Sequence, residues 1–152
     1  MGRRPTASEH NALGVFFYSR QAYDLAIKEL RRAMQLASRP SPMLHVNLGA
    51  AYLGKRLHAE ARGCFERALA LDPGHQKARW FLARTLQATG ALEAARAEFE
   101  RAARLDPASP EGRWAAQEAR ALAAALDARP SHAVGASGPV EPGTQDRADD
   151  SG

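Results

Sequence analysis

Apolar residues recur at spacings of three and four along most of this chain, in blocks of about a dozen positions separated by short polar or proline-bearing gaps. Leu13, Phe16 and Phe17, then Leu48, Ala51 and Tyr52, then Leu82, Thr85 and Leu86 each mark one stripe of a helix, and a second block of the same period follows each after a short turn. The gaps carry stop signals. Pro40 and Pro42 break one helix and start the next, Asp72-Pro73 and Asp106-Pro107 each close a helix, and Gly54 and Thr89-Gly90 lie at turns. The pattern predicts helices over about 7–20, 23–37, 42–55, 58–71, 76–89 and 92–105. After Pro110 an alanine-rich seventh helix runs to about Ala128, carrying Trp114, Leu122 and Leu126.

The blocks repeat as text. Residues 61–73 read ARGCFERALALDP and residues 95–107 read ARAEFERAARLDP, nine of thirteen positions being identical at an offset of 34. A fixed period of that size marks a stacked array, in which each unit buries its apolar face only against its neighbours. The matching positions are Leu48, Gly49, Tyr52, Ala61, Phe65, Ala68 and Pro73 in one unit and Leu82, Ala83, Leu86, Ala95, Phe99, Ala102 and Pro107 in the next. An earlier unit carries Leu13, Gly14, Phe17, Tyr23, Ala26, Leu30 and Ala33. These residues resemble the tetratricopeptide repeat (TPR) family over roughly residues 7–109. The resemblance implies an all-α fold, a right-handed superhelical array of antiparallel helix pairs (a TPR-like α-solenoid), here with a C-terminal capping helix. The expected organisation is a lead at 1–6, repeats at 7–41, 42–75 and 76–109, a capping helix at 110–128 and a disordered tail at 129–152. Two departures stand out. The aromatic that many family members carry three residues before the Leu-Gly pair is His10, His45 and Arg79 here, and an insertion around Pro40 makes the first unit 35 residues long.

Small residues at Gly14, Gly49 and Ala83, one position after the leucine, are expected where helix axes approach closely, as are Ala26, Ala61 and Ala95. Composition shifts only at the end: from Pro130 on, ten of 23 residues are Pro, Gly or Ser, too few apolar groups to offset the entropy of ordering. The net charge of +4 is unevenly placed. From Asp127 onward two basic residues face five acidic ones, a net of −3, leaving +7 on residues 1–126. A basic body attracts anionic partners. Glu29 with Arg32 and Glu93 with Arg96 stand at helical spacing, however, as on a solvated helical face.

Other classes recede. No apolar run approaches a membrane span, the basic start is not followed by an apolar core of the secretory kind, and Cys64 is the only cysteine, all consistent with a cytoplasmic protein. Cys64 reads as a packing residue. The five histidines (His10, His45, His58, His75, His132) form no ligand set for zinc, no glycine-rich phosphate loop follows a strand, and no serine has an arranged His and Asp. The reading is therefore a non-enzyme with no catalytic residue, metal or cofactor.

What remains is the inner surface. In an array of helix pairs the first helices line a concave groove. That stripe is expected to hold Asn11, Val15 and Tyr18 from the first unit, Val46, Asn47, Ala50 and Leu53 from the second, and Lys77, Trp80, Arg84 and Gln87 from the third. Trp114, one period after Trp80, extends it. Such a surface suits an extended or helical peptide with apolar anchors and an acidic or C-terminal carboxylate group, Trp80 and Arg84 being the candidate hot spots. Packing between helix pairs is the other role open to Trp80.

Chaperone-binding members of the family grip a terminal carboxylate with two asparagines and three basic residues. Asn47 and Lys77 match that set, whereas Asn11 replaces a lysine, Val15 an asparagine and Phe81 an arginine. Two of five speaks against binding Hsp70 or Hsp90 tails. The expected function is a protein–protein adaptor or scaffold. The alternatives are a nucleic-acid-associated protein using the basic body, a less favoured reading, or a self-assembling scaffold that forms homo-oligomers.

Overall fold

A computed structural model describes residues 2–130. They form seven helices: α1 (Ala7–Ser19), α2 (Tyr23–Leu36), α3 (Pro42–Gly54), α4 (His58–Leu71), α5 (Gln76–Ala88), α6 (Leu92–Leu105) and α7 (Pro110–Asp127). Each lies within two residues of the span that periodicity predicts. No helix among the described residues is long and apolar enough to cross a membrane. The expected disordered tail and His132 lie outside the described residues, apart from Arg129 and Pro130.

Helix starts follow two rules, one for each parity. The odd helices are capped by side chains: Thr6, Ser41, His75 and Ser109 accept hydrogen bonds from the backbone N–H groups of Glu9, Leu44, Ala78 and Gly112. Each cap satisfies one of the donors a helix start leaves unpaired. The even helices have no side-chain cap and instead follow a residue in the left-handed region: Gln21 (φ 60°), Arg56 (φ 62°) and Gly90 (φ 84°). Only the third of these turns has the glycine that conformation favours. Gly54, read as a turn residue, has a different task, since a Cβ there would come within 2.2 Å of the Tyr23 ring.

Each helix packs on the next, and the odd helices α1, α3, α5 and α7 also touch one another in a row, whereas α2, α4 and α6 do not touch each other. The row of odd helices is therefore the tighter layer, and the array curves with that layer inside. Between the layers lie Leu30, Phe65 and Phe99, one period apart and fully buried. A Cβ on Gly14 would meet Leu30 Cγ at 2.5 Å, and one on Gly49 would meet Phe65 Cε1 at 2.6 Å. Gly14 and Gly49 thus make room for a large side chain of the partner helix. Truncating Phe65 or Phe99 to alanine in such a core costs about 3–5 kcal/mol.

Two of the three basic residues at the family's aromatic position have inter-helix partners. His10 Nδ1 lies 2.5 Å from Glu29 Oε2, and Arg79 Nη1 donates to Glu98 Oε2 at 2.8 Å. Cys64 occupies the acid's place in the middle unit and is buried, and His45 Nδ1 is buried without a partner.

The start of α7 is latched to α5. Gln76 Nε2 donates to the carbonyls of Ala102 (2.8 Å) and Asp106 (3.0 Å), while Ser109 Oγ donates to Gln76 Oε1 (2.8 Å). Gly112 permits this approach, because a Cβ there would stand 2.0 Å from the Asp106 carbonyl oxygen. From that anchor α7 buries Ala115, Ala119 and Leu122 against the last pair.

Candidate functional site

The inner layer presents its side chains in two groups. The first lies between α1, α3 and α5, where Val15, Tyr18, Leu30, Asn47, Ala50, Lys77 and Phe81 line a cavity of about 140 Å³. Val15 and Tyr18 are 44% and 36% exposed, so α1 offers its apolar residues to the opening rather than to the core. Ala50 and Phe81 are almost wholly buried and form wall. Asn47 Nδ2 donates to Asn11 Oδ1 at 2.9 Å, which ties α3 to α1 across one edge. Burial pushes the Tyr18 hydroxyl above its usual range; Tyr23 adds to the shift, and Arg84 on α5 opposes it.

The second group lies between α5 and α7, in a cleft of about 400 Å³ lined by Trp80, Arg84, Gln87, Trp114, Gln117 and Glu118. The Arg84 guanidinium sits 4.9 Å from the centre of the Trp80 ring, a cation–π contact. Trp80 and Trp114 stand with ring centroids 6.3 Å apart, and Trp114 is 52% exposed. Behind them Trp80 meets Phe81 edge-on at 5.0 Å, and Phe81 stacks on Phe65 at 5.3 Å. This aromatic series runs from the core to the surface and holds the outer rings stiffly. Trp80 is half-buried and packed against the core, with a buried Nε1, and it also lines the cleft.

Most of the residues expected on the inner stripe line one of these two sites. Val46 does not. It is fully buried in the main core, since its place on α3 turns it between the helix layers, and its assignment to the groove is corrected. Leu53 is half-buried and packs against the same core. Leu30, Phe81, Gln117 and Glu118 line the sites without having been expected on the inner stripe. Leu30 belongs to an even helix, and the polar pair on α7 carries no periodic apolar signal.

A curved row of helix pairs with side chains converging on its inner face defines an α-solenoid domain. Residues 46–110 match the tetratricopeptide repeat family, and the fold is that of TPR domains. One similar structure is the first TPR of Spaghetti (RPAP3) bound to the HSP90 peptide SRMEEVD, with 27% identity, a TM-score of 0.72, and 80% of this chain and 94% of that chain covered. Another is the first TPR domain of human RPAP3, with 27% identity, a TM-score of 0.73, and 80% and 93% covered. The fold is shared by PcrH in complex with the chaperone-binding region of PopD, at 22% identity, a TM-score of 0.73, and 84% and 100% covered. Comparison with curated protein sequences gave no match.

Proposed function

We propose that this chain is a protein-interaction adaptor or scaffold whose inner face holds a segment of a partner protein. The carrying observation is the Trp80–Arg84–Trp114 group, in which a stiff apolar surface and a guanidinium lie side by side in an open cleft. Tryptophan and arginine are the residue types that dominate binding energy at protein interfaces. The similarity to a peptide-bound TPR domain supports the reading.

Capture of partners with the wild-type chain, followed by mass spectrometry, tests it. Trp80→Ala and Arg84→Glu should each weaken the captured interaction by roughly 2 kcal/mol or more. Denaturation curves run beside the capture separate lost binding from lost fold. Undiminished capture by a folded Trp80→Ala variant would overturn the role of this cleft.

The basic body supports a nucleic-acid reading less well, because several of its arginines are already paired. Arg62 with Glu66 (2.7 Å), Arg96 with Glu100 (3.0 Å), and Arg79 and Arg101 with Glu98 (each 2.8 Å) hold carboxylates. A phosphate-driven complex loses affinity steeply with salt, and a groove-bound peptide with apolar anchors much less.

A further inference from the structure

Charge on α5 is sorted by face. Arg79 is paired with Glu98, whereas Lys77 and Arg84, at the two inner sites, have no carboxylate partner among the described residues. They stand seven residues apart on one helix, two turns, which places them roughly 10 Å from each other along the axis. Lys77 lines the apolar cavity and Arg84 the tryptophan cleft beyond it. The cavity measures about 140 Å³. An apolar cavity of about 150 Å³ holds a benzene-sized group, so this one accommodates a single aliphatic side chain. Its walls are mainly apolar, formed by Val15, Leu30, Ala50 and Phe81, with Lys77 and the Asn47 amide, which donates to Asn11, as polar groups beside them.

On the reading that the inner face binds a protein segment, we infer that the segment is extended and internal, with one aliphatic side chain seated between Val15, Ala50 and Phe81. Two acidic residues pair with Lys77 and Arg84. In an extended chain at about 3.3–3.6 Å per residue, a span of roughly 10 Å separates those acids by three positions. The aliphatic anchor lies next to the acid that meets Lys77. Lys77 is the one cation among the residues lining the cavity, and a side-chain acid occupies it, so a terminal carboxylate adds nothing.

Fluorescence polarisation with two acetylated, amidated peptides tests this, one carrying Leu-Glu-Ser-Ser-Glu and the other the reverse order. One of the two should bind the full chain, with affinity at least tenfold lower when its leucine is replaced by aspartate. The same peptide with a free C-terminal carboxylate should bind equally well. Val15→Trp, at an exposed position, fills the cavity and should lower affinity at least tenfold. Lys77→Glu should do the same and be rescued when the glutamate beside the leucine becomes lysine. Failure of both peptides, indifference to Val15→Trp, or tight binding of SRMEEVD only with its terminus free would each overturn the inference. A captured partner that depends on Trp80 but not on Val15 or Lys77 would sink it while leaving the adaptor reading intact. Indifference to all three would remove both.

Discussion

Arg79 of α5 and Glu98 of α6 form a nearly buried ion pair at 2.8 Å, at the position where His10 meets Glu29 in the first unit. Their side chains are 17% and 13% exposed, and Glu98 also accepts from Arg101 at 2.8 Å. The helix pair is thus joined by a charge at a place the family often fills with an aromatic ring.

Removing one partner should cost more than removing both. Glu98→Ala leaves the Arg79 guanidinium facing a desolvated gap and should destabilise by about 1.5–3 kcal/mol, the range for hydrogen bonds to charged groups. Arg79→Leu combined with Glu98→Leu should recover most of that, because apolar replacement of a buried pair is commonly near neutral. A double-mutant cycle by chemical denaturation measures the coupling, and additive single costs would show that the pair contributes nothing.

Cys64 should be inert in the folded protein. It is 2% exposed, and burial pushes its thiol up, with Glu60 adding to the shift and Arg67 and Arg31 opposing it. Reaction with an aromatic disulfide reagent should be roughly a hundredfold slower than in denaturant, since attack must wait for local opening. Comparable rates in both conditions would contradict the packing role.

Acid should destabilise the fold in two windows. Burial and, less strongly, Arg67 hold His45 below its usual 6.5. The unfolded chain therefore binds a proton the folded one resists, and stability falls as pH drops below about 6.5. Glu9 is held at about 2, first by the Thr6 backbone N–H at 2.7 Å and then by Arg3. A depressed carboxyl stabilises above its unfolded value of 4.5 and loses that contribution as pH falls towards 2. Thermal melts should show a smaller drop between pH 7 and 5 for His45→Gln than for wild type. For Glu9→Gln the smaller drop should come between pH 5 and 2. Parallel curves for all three proteins would refute the assignment.

Two glycines should respond oppositely to alanine. Gly112→Ala drives a methyl against the Asp106 carbonyl oxygen, a backbone atom that cannot swing aside, and should destabilise by about 1–3 kcal/mol. Gly63, inside α4, has only Arg67 Nη1 at 3.7 Å, so Gly63→Ala should stabilise by about 0.5–1 kcal/mol. Guanidinium unfolding of the two variants checks both signs.

Local signals in the chain were enough for the helices. Apolar spacing, Asp-Pro stops and the 34-residue text repeat place seven helices within two residues of where they lie, because helix ends respond to nearby caps and prolines. The inner stripe was legible as a periodicity, and most of its members do line the two inner sites. What periodicity lacks is depth. Val46 and Val15 carry the same apolar signal, yet one is fully buried and the other 44% exposed, since burial depends on which neighbouring helix lies over each face. Partners distant in sequence were equally hidden. The pairing of Arg79 with Glu98 and of Gln76 with Asp106, and the 140 Å³ space between α1, α3 and α5, exist only once helices 19 or more residues apart are packed together. Sequence decided the elements because their hydrogen bonds are local; tertiary structure decided the cavity because its walls come from four helices.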